Sequence, residues 1–253
     1  MSKETEVIFK LHPGKVIRVL SLTALLVIIA SVAGQVYTYQ FNGGASTPLI
    51  MKLYIDGEEN IATFFVSAVY LISSLLLYLV YLHKCNNNDK FRFYWFILSA
   101  GFLFLAVDES VLLYHDLLSS PLKSFGMNIN SAVGIGIATI ILFLILYESV
   151  LFFIHLPGRY RILFALSGVI YIAGSVGMDK IGTMYHEVHS KFNLSYSMLA
   201  TLEAMMEIGG VLVLIYSLLT LLSEIDSTDI KKQSRSEPAQ GNSQNCYWSD
   251  KLK

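Results

Sequence analysis

Apolar residues fall into six long runs along the chain: Val19–Tyr39, Ile61–Leu82, Phe93–Leu118, Ile129–Ile154, Ile162–Tyr185 and Met198–Leu222. Crossing the hydrocarbon core of a bilayer takes about 20 mostly apolar residues in a helix. The runs are continuous rather than alternating, which predicts helices and not the strands of a barrel. Turn-forming residues sit between the runs, as in Asn42-Gly43-Gly44, Pro121 and Pro157-Gly158. Gly134, Gly136, Ala173, Gly174 and Gly177 lie inside them, where small residues let helices approach closely. The stretch from Glu224 to Lys253 is polar and aperiodic. The pattern therefore predicts an all-α integral membrane helical bundle. Residues 1–18 form a cytoplasmic N-terminal segment, 19–222 a six-span transmembrane domain, and 223–253 a disordered cytoplasmic tail.

Basic residues orient the spans. Of the 18 Lys and Arg, only Lys52, Lys123 and Lys191 fall in the loops of one side, with Lys180 inside a run. All the others flank the runs on the opposite side, so the positive-inside bias puts both termini in the cytoplasm. Composition agrees. Of the 253 residues, 54% are hydrophobic and 15% charged, where a soluble domain carries about 25% charged. Mean hydropathy is +0.56. A formal net charge of −1 gives no basic surface for nucleic acid. Two cysteines, Cys85 and Cys246, do not make a disulfide framework and are expected to face the reducing cytoplasm. Ser31-Val32-Ala33 resembles a signal-peptide cleavage site, but the apolar run continues past it, so a span is expected there.

Ionisable side chains within a bilayer are costly and by default mark function. Carboxylates fall inside the predicted spans, among them Asp108, Glu109, Glu148, Asp179, Glu203 and Glu207. Only Lys180 accompanies them, so they must bind protons, bind a cation or line a wet cavity. Helical rise puts Asp108 and Glu207 about 15 Å below the outer ends of their spans, and Asp179 about 9 Å below its own. His115, Asp116, His186, Glu187, His189 and Glu203 occupy a shallower outer layer, and Glu148 stands apart toward the cytoplasmic side. Glu109 and Lys180 read as a pairing or snorkelling couple.

Two segments echo one another. Asp108 to Asp116 and Asp179 to Glu187 each read Asp, five residues, Tyr-His, then an acid, which suggests a parallel repeat about the membrane normal. Spacing limits what each helix can chelate. Asp108 and His115 are seven apart and cannot hold one ion together, whereas Glu203/Glu207 at i,i+4 and His186/His189 at i,i+3 can. Carboxylate and imidazole ligands suit iron, manganese or zinc. The expected metal ligands are Asp108, His115, Asp179, His186, His189, Glu203 and Glu207, with Glu187 as a proton-shuttling catalytic acid.

With those residues in view, the stretch from Phe102 to Leu221 resembles a group of uncharacterised bacterial multi-span membrane proteins. The likeness rests on Asp108-Glu109…His115-Asp116, on Asn193-Leu194-Ser195-Tyr196, and on Glu203 with Glu207. That family often doubles the first acid of the last pair, where this chain has Ala204. The resemblance implies a bacterial inner membrane and carries no established activity. Two functions are expected in competition. The first is a metal-dependent membrane enzyme acting on a lipid or small hydrophobic substrate. The second is a proton- or cation-coupled transporter that uses the intramembrane carboxylates. A third expectation is an accessory subunit of a membrane complex.

Overall fold

The computed structural model describes residues 12–41, 47, 50, 52–54, 60–111, 150–189 and 193–236. Among the described residues the α-helices are α1 (Pro13–Val36), α2 (Ile61–Asn86), α3 (Arg92–Val111), α4 (Gly158–Ile172), α5 (Asp179–Val188) and α6 (Leu194–Ser236), with a further helical stretch at 150–155. Two π-helical segments adjoin them, Tyr37–Phe41 after α1 and Ala173–Met178 between α4 and α5. There is no strand among the described residues.

The helix starts obey local chemistry. α1 opens with Pro13 in its first turn, where a missing N–H costs nothing. Asn60 caps α2 by accepting from the Thr63 N–H at 2.9 Å, and Asn193 caps α6 by accepting from the Tyr196 N–H at 2.8 Å. The Asn-Leu-x-Tyr stretch is thus a helix start.

Four stretches are long and apolar enough to cross a membrane: Pro13–Phe41, Ile61–Asn86, Gly158–Val188 and Leu194–Ser227. Each contains one of the predicted apolar runs. The third run coincides with α3 up to Val111 and then leaves the described residues. Of the fourth, only Val150–Ile154 is described, and it is helical.

α6 runs past the last apolar run, to Ser236 at the edge of the described residues. A helix already nucleated by an apolar stretch propagates at little cost, and no Gly or Pro intervenes between Gly210 and Ser236.

α6 is the central element and packs against α1, α2, α4 and the Ala173–Met178 segment. Its buried positions Ile208, Val211, Ile215 and Leu218 recur at helical spacing. On α1, Val19, Leu22, Leu26 and Ile29 are exposed, a face apolar enough to meet lipid. α2 and α3 form a hairpin zipped by small hydroxyls. Ser74 Oγ donates to the Ser99 carbonyl at 2.8 Å, Ser99 Oγ donates back to the Ser74 carbonyl at 2.9 Å, and Ser67 Oγ donates to the Ala106 carbonyl at 2.6 Å.

The turn of this hairpin holds Asn88 at φ 50° and a Lys84–Asp89 ion pair at 2.7 Å. We call this end of the bundle, with Lys84, Lys90, Arg92, Arg159 and Arg161, its basic end. An aromatic cluster fills it: Trp95 meets Phe152 edge-on at 5.1 Å and Phe164 at 5.8 Å.

α4 and α6 touch backbone to backbone. A Cβ at Gly210 would lie 2.8 Å from the Tyr171 nitrogen and 2.9 Å from the Ser167 carbonyl oxygen. Ser167 Oγ donates to the Gly210 carbonyl at 2.7 Å across the same contact. A Cβ at Gly174 would lie 3.0 Å from the Glu203 carbonyl oxygen and 3.1 Å from the Glu207 nitrogen.

Gly210→Ala should therefore force the helices apart and cost about 1–3 kcal/mol. Gly209→Ala, where an added Cβ meets nothing within 4 Å, should be near neutral. Thermal unfolding of the two variants in one detergent reads the difference, and equal melting temperatures would refute the contact.

The Asp89 carboxyl gives a pH prediction. Partial burial pushes it up, but donors from Lys84 Nζ and the Phe91 N–H, with the charges of Lys84 and His155, more than offset this and hold it below its ordinary 3.8. A carboxyl lowered by folding stabilises the fold above its unfolded pKa and loses that contribution as pH falls through its folded pKa. Asp89→Asn should thus lower the melting temperature at pH 7, by an amount of order 1 kcal/mol or less for so exposed a pair. The gap to wild type should close once the pH falls well below 3.8.

Candidate functional site

Three acids from three helices act electrostatically on one side chain, that of Glu207. Glu203 and Glu207 lie one turn apart on the unbroken α6, as their i,i+4 spacing requires. Glu207 is half-buried and lies in the field of Glu203, of Glu109 on α3 and of Asp179 at the start of α5. The Gly174 contact brings this about, because it sets the segment leading to Asp179 directly against the α6 backbone at Glu203 and Glu207.

The π-helical Ala173–Met178 segment lies immediately before Asp179. Such segments insert a residue into the helical repeat and turn the residues beyond them onto a new face, and they are frequent at functional sites. Asp179 and Lys180 are both exposed just past it.

A tyrosine pair adjoins the acids. Tyr70 on α2 is 4% exposed, and its hydroxyl lies 3.5 Å from that of Tyr171 on α4. Glu207 and Glu109 act electrostatically on both hydroxyls. Because Tyr171 abuts Gly210, the pair sits about one turn nearer the basic end than Glu207. Beyond it the core is apolar, with Leu77, Val80, Ile215 and Leu218 fully buried.

The far end is more polar. Gln35 is 1% exposed inside α1. Its Nε2 donates to Thr201 Oγ1 at 3.0 Å and to Ser31 Oγ at 3.2 Å. The Thr201 hydroxyl donates to the Ser197 carbonyl at 2.8 Å, and Tyr54 OH donates to Thr38 Oγ1 at 2.6 Å. The Gln35–Thr201 bond fastens α1 to α6 one to two turns from Glu207.

The expected site residues separate into groups. Asp179, Glu203 and Glu207 come together, and their third-helix companion is Glu109, a residue whose sequence context suggests only pairing or snorkelling. Asp108 stands next to Glu109, half-buried, and its charge acts on Glu109. His186, Glu187 and His189 are exposed. The i,i+3 pair expected of His186 and His189 does not form, because α5 ends at Val188 and His189 is extended, at φ −127° and ψ 159°. Their rings face aromatic partners instead: His189 stacks on Tyr185 at 4.4 Å and His186 meets Tyr196 edge-on at 6.1 Å.

His115, Asp116 and Glu148 lie outside the described residues. Among the described residues, no three His, Cys, Asp or Glu side chains are grouped closely enough to hold a metal ion. A metal centre on the expected ligands would therefore need His115 or a neighbour from residues 112–149.

Sequence reasoning misses Tyr70, Tyr171, Gln35 and Thr201. Gln35 is recoverable, since an amide within an apolar run obeys the same logic as an acid. The tyrosines carry no such signal, because this chain has 15 of them.

Thr201→Val should strand the Gln35 amide and cost about 1–3 kcal/mol. The double replacement Gln35→Leu/Thr201→Val should recover part of that loss. A double-mutant cycle on thermal stability checks this, and strictly additive losses would refute the pairing.

Comparison with known proteins is confined to one match. Neither a curated protein nor a solved structure matches the chain. A family model does match, over residues 19–222, a stretch that takes in all the described acids of the cluster. The chain belongs to the family described as a domain of unknown function, DUF8692.

Proposed function

We propose that this protein is a six-span membrane protein, with both termini in the cytoplasm of a bacterial inner membrane, that binds protons or cations at the Glu207 cluster to drive transport. The observation that carries the reading is the half-buried Glu207, one turn from Glu203 on α6 and in the field of Glu109 on α3 and Asp179 on α5. Like charges gathered in an apolar surrounding cannot all remain ionised without a proton or cation among them. Such a group takes up and releases a cation as its surroundings become wet or dry, which is the chemistry a coupled carrier uses.

Further support comes from the asymmetry of the interior. The buried amide of Gln35 and the hydroxyls of Thr38 and Thr201 lie in the half of the bundle that holds the acids, while beyond Tyr70 and Tyr171 the buried side chains are mostly apolar, with serines as the exceptions. In this conformation the acids thus communicate with the far end, which the positive-inside bias assigns to the outer face. Within this scheme Glu207 is the principal binding group, with Glu109, Asp179 and Glu203 setting its affinity.

The test is carbodiimide modification of purified protein, since these reagents attack protonated carboxyls in apolar sites. A mass adduct at Glu207 is expected, falling as pH rises and absent in Glu207→Gln. In proteoliposomes, cation or substrate movement driven by a pH gradient should be lost with the same variant. No adduct in folded wild type would sink the proposal. Elemental analysis gives the competing outcome: near-stoichiometric iron, manganese or zinc, lost in both Asp108→Ala and Glu207→Ala, would replace it with the metal-dependent enzyme in which Glu187 shuttles protons.

A further inference from the structure

A second feature lies at the opposite end of the bundle. A cavity of about 110 Å³ opens at the basic end, where α2, α3, the helical stretch 150–155 and α6 finish together. Phe91, Trp95, Phe152 and His155 wall it, Leu221 lies at its α6 side and Lys84 at its mouth. The walls are firm: Phe91 and His155 rings are 4.5 Å apart, and Trp95 and Phe152 are 3% and 4% exposed. Aromatic walls around a space of this size suit a planar ring.

The sequence supplies one from the same chain. After Ser236 the remaining residues, through Lys253, are mostly polar, yet Tyr247 and Trp248 stand together among them. We propose that Trp248 of the C-terminal segment docks in this cavity, as an intramolecular anchor that ties the end of α6 to the α2–α3 hairpin.

Reach permits it. α6 passes the cavity at Leu221 and Ile225 and runs on to Ser236, roughly 16 Å past Ile225 at helical rise. The twelve residues from Ser236 to Trp248 can span up to roughly 40 Å when extended, ample to double back. Tethering makes the effective concentration of the ring on the order of millimolar, so a modest contact suffices.

The chain carries its own reporters. Trp95 and Trp248 are its two tryptophans, and Cys85 and Cys246 its two cysteines. Cys85 directly succeeds the cavity residues His83 and Lys84, and Cys246 immediately precedes the ring pair. Mild oxidation or a short bifunctional thiol reagent, applied to intact detergent-purified protein, should join Cys85 to Cys246 within one chain. Trp248→Ala should lower that yield about tenfold, the loss expected from one buried aromatic anchor.

In Trp95→Phe, the remaining Trp248 should emit at short wavelength and resist aqueous iodide, in micelles and in liposomes alike. Four outcomes would overturn the proposal. They are thiols that react singly but do not join, a yield unchanged by Trp248→Ala, joined dimers in place of joined monomers, and quenching of Trp248 by brominated acyl chains, which would put the ring in lipid. The thiol readout uses wild type, so it stands even where Trp95→Phe fails to fold.

Discussion

The backbone contact between the α4 side and α6 governs the rest of the structure. At Gly210 and Gly174 the two chains approach to distances that admit no Cβ, and the Ser167 hydroxyl closes the gap with a bond to the Gly210 carbonyl. Without a hydrophobic driving force between helices in lipid, such close packing with an interhelical hydrogen bond is what associates them. Once α4 is pressed on α6 in this register, Tyr171 must face Tyr70 and Asp179 must approach Glu207. The carboxylate cluster is thus a consequence of where two glycines fall.

Around that contact the bundle divides its labour. Toward the basic end, the buried surface is mostly aliphatic and aromatic, and Ser74 and Ser99 there satisfy themselves on each other's carbonyls. Toward the far end, the buried groups are an amide, hydroxyls and acids, joined helix to helix by Gln35 and Thr201. A buried polar network rigidifies only when every member is satisfied. Gln35 meets that condition with α6, which explains how so polar a residue is held inside α1.

The π-helical segment before Asp179 adds a local element. An α-helix continued through 173–178 would carry Asp179 to a different face from the one it occupies. The extra residue in the turn, accommodated next to Gly174, sets the angle at which α5 leaves the bundle. It also explains why counting helical spacing from one end of the fifth run to the other misjudges its final turn. His189 falls past the helix end, in an extended conformation, and the expected imidazole pair dissolves with it.

Much of the architecture was legible in the residues alone. Apolar runs of membrane length marked the four long helices, because twenty consecutive apolar residues admit few other structures. Pro157-Gly158 marked a helix start through backbone chemistry that acts within a turn. The i,i+4 relation of Glu203 and Glu207 came from one continuous helix, and the interior acids were conspicuous because their burial is costly. Partnership across helices was not legible. Glu109 rather than Asp108 reaches Glu207, Tyr70 meets Tyr171, and Gln35 finds Thr201, each over a separation that helical periodicity does not encode. Those choices depend on the rotation of each helix about its axis, and that rotation is decided by the packing of small residues and by one π turn, which exist only once the helices are together.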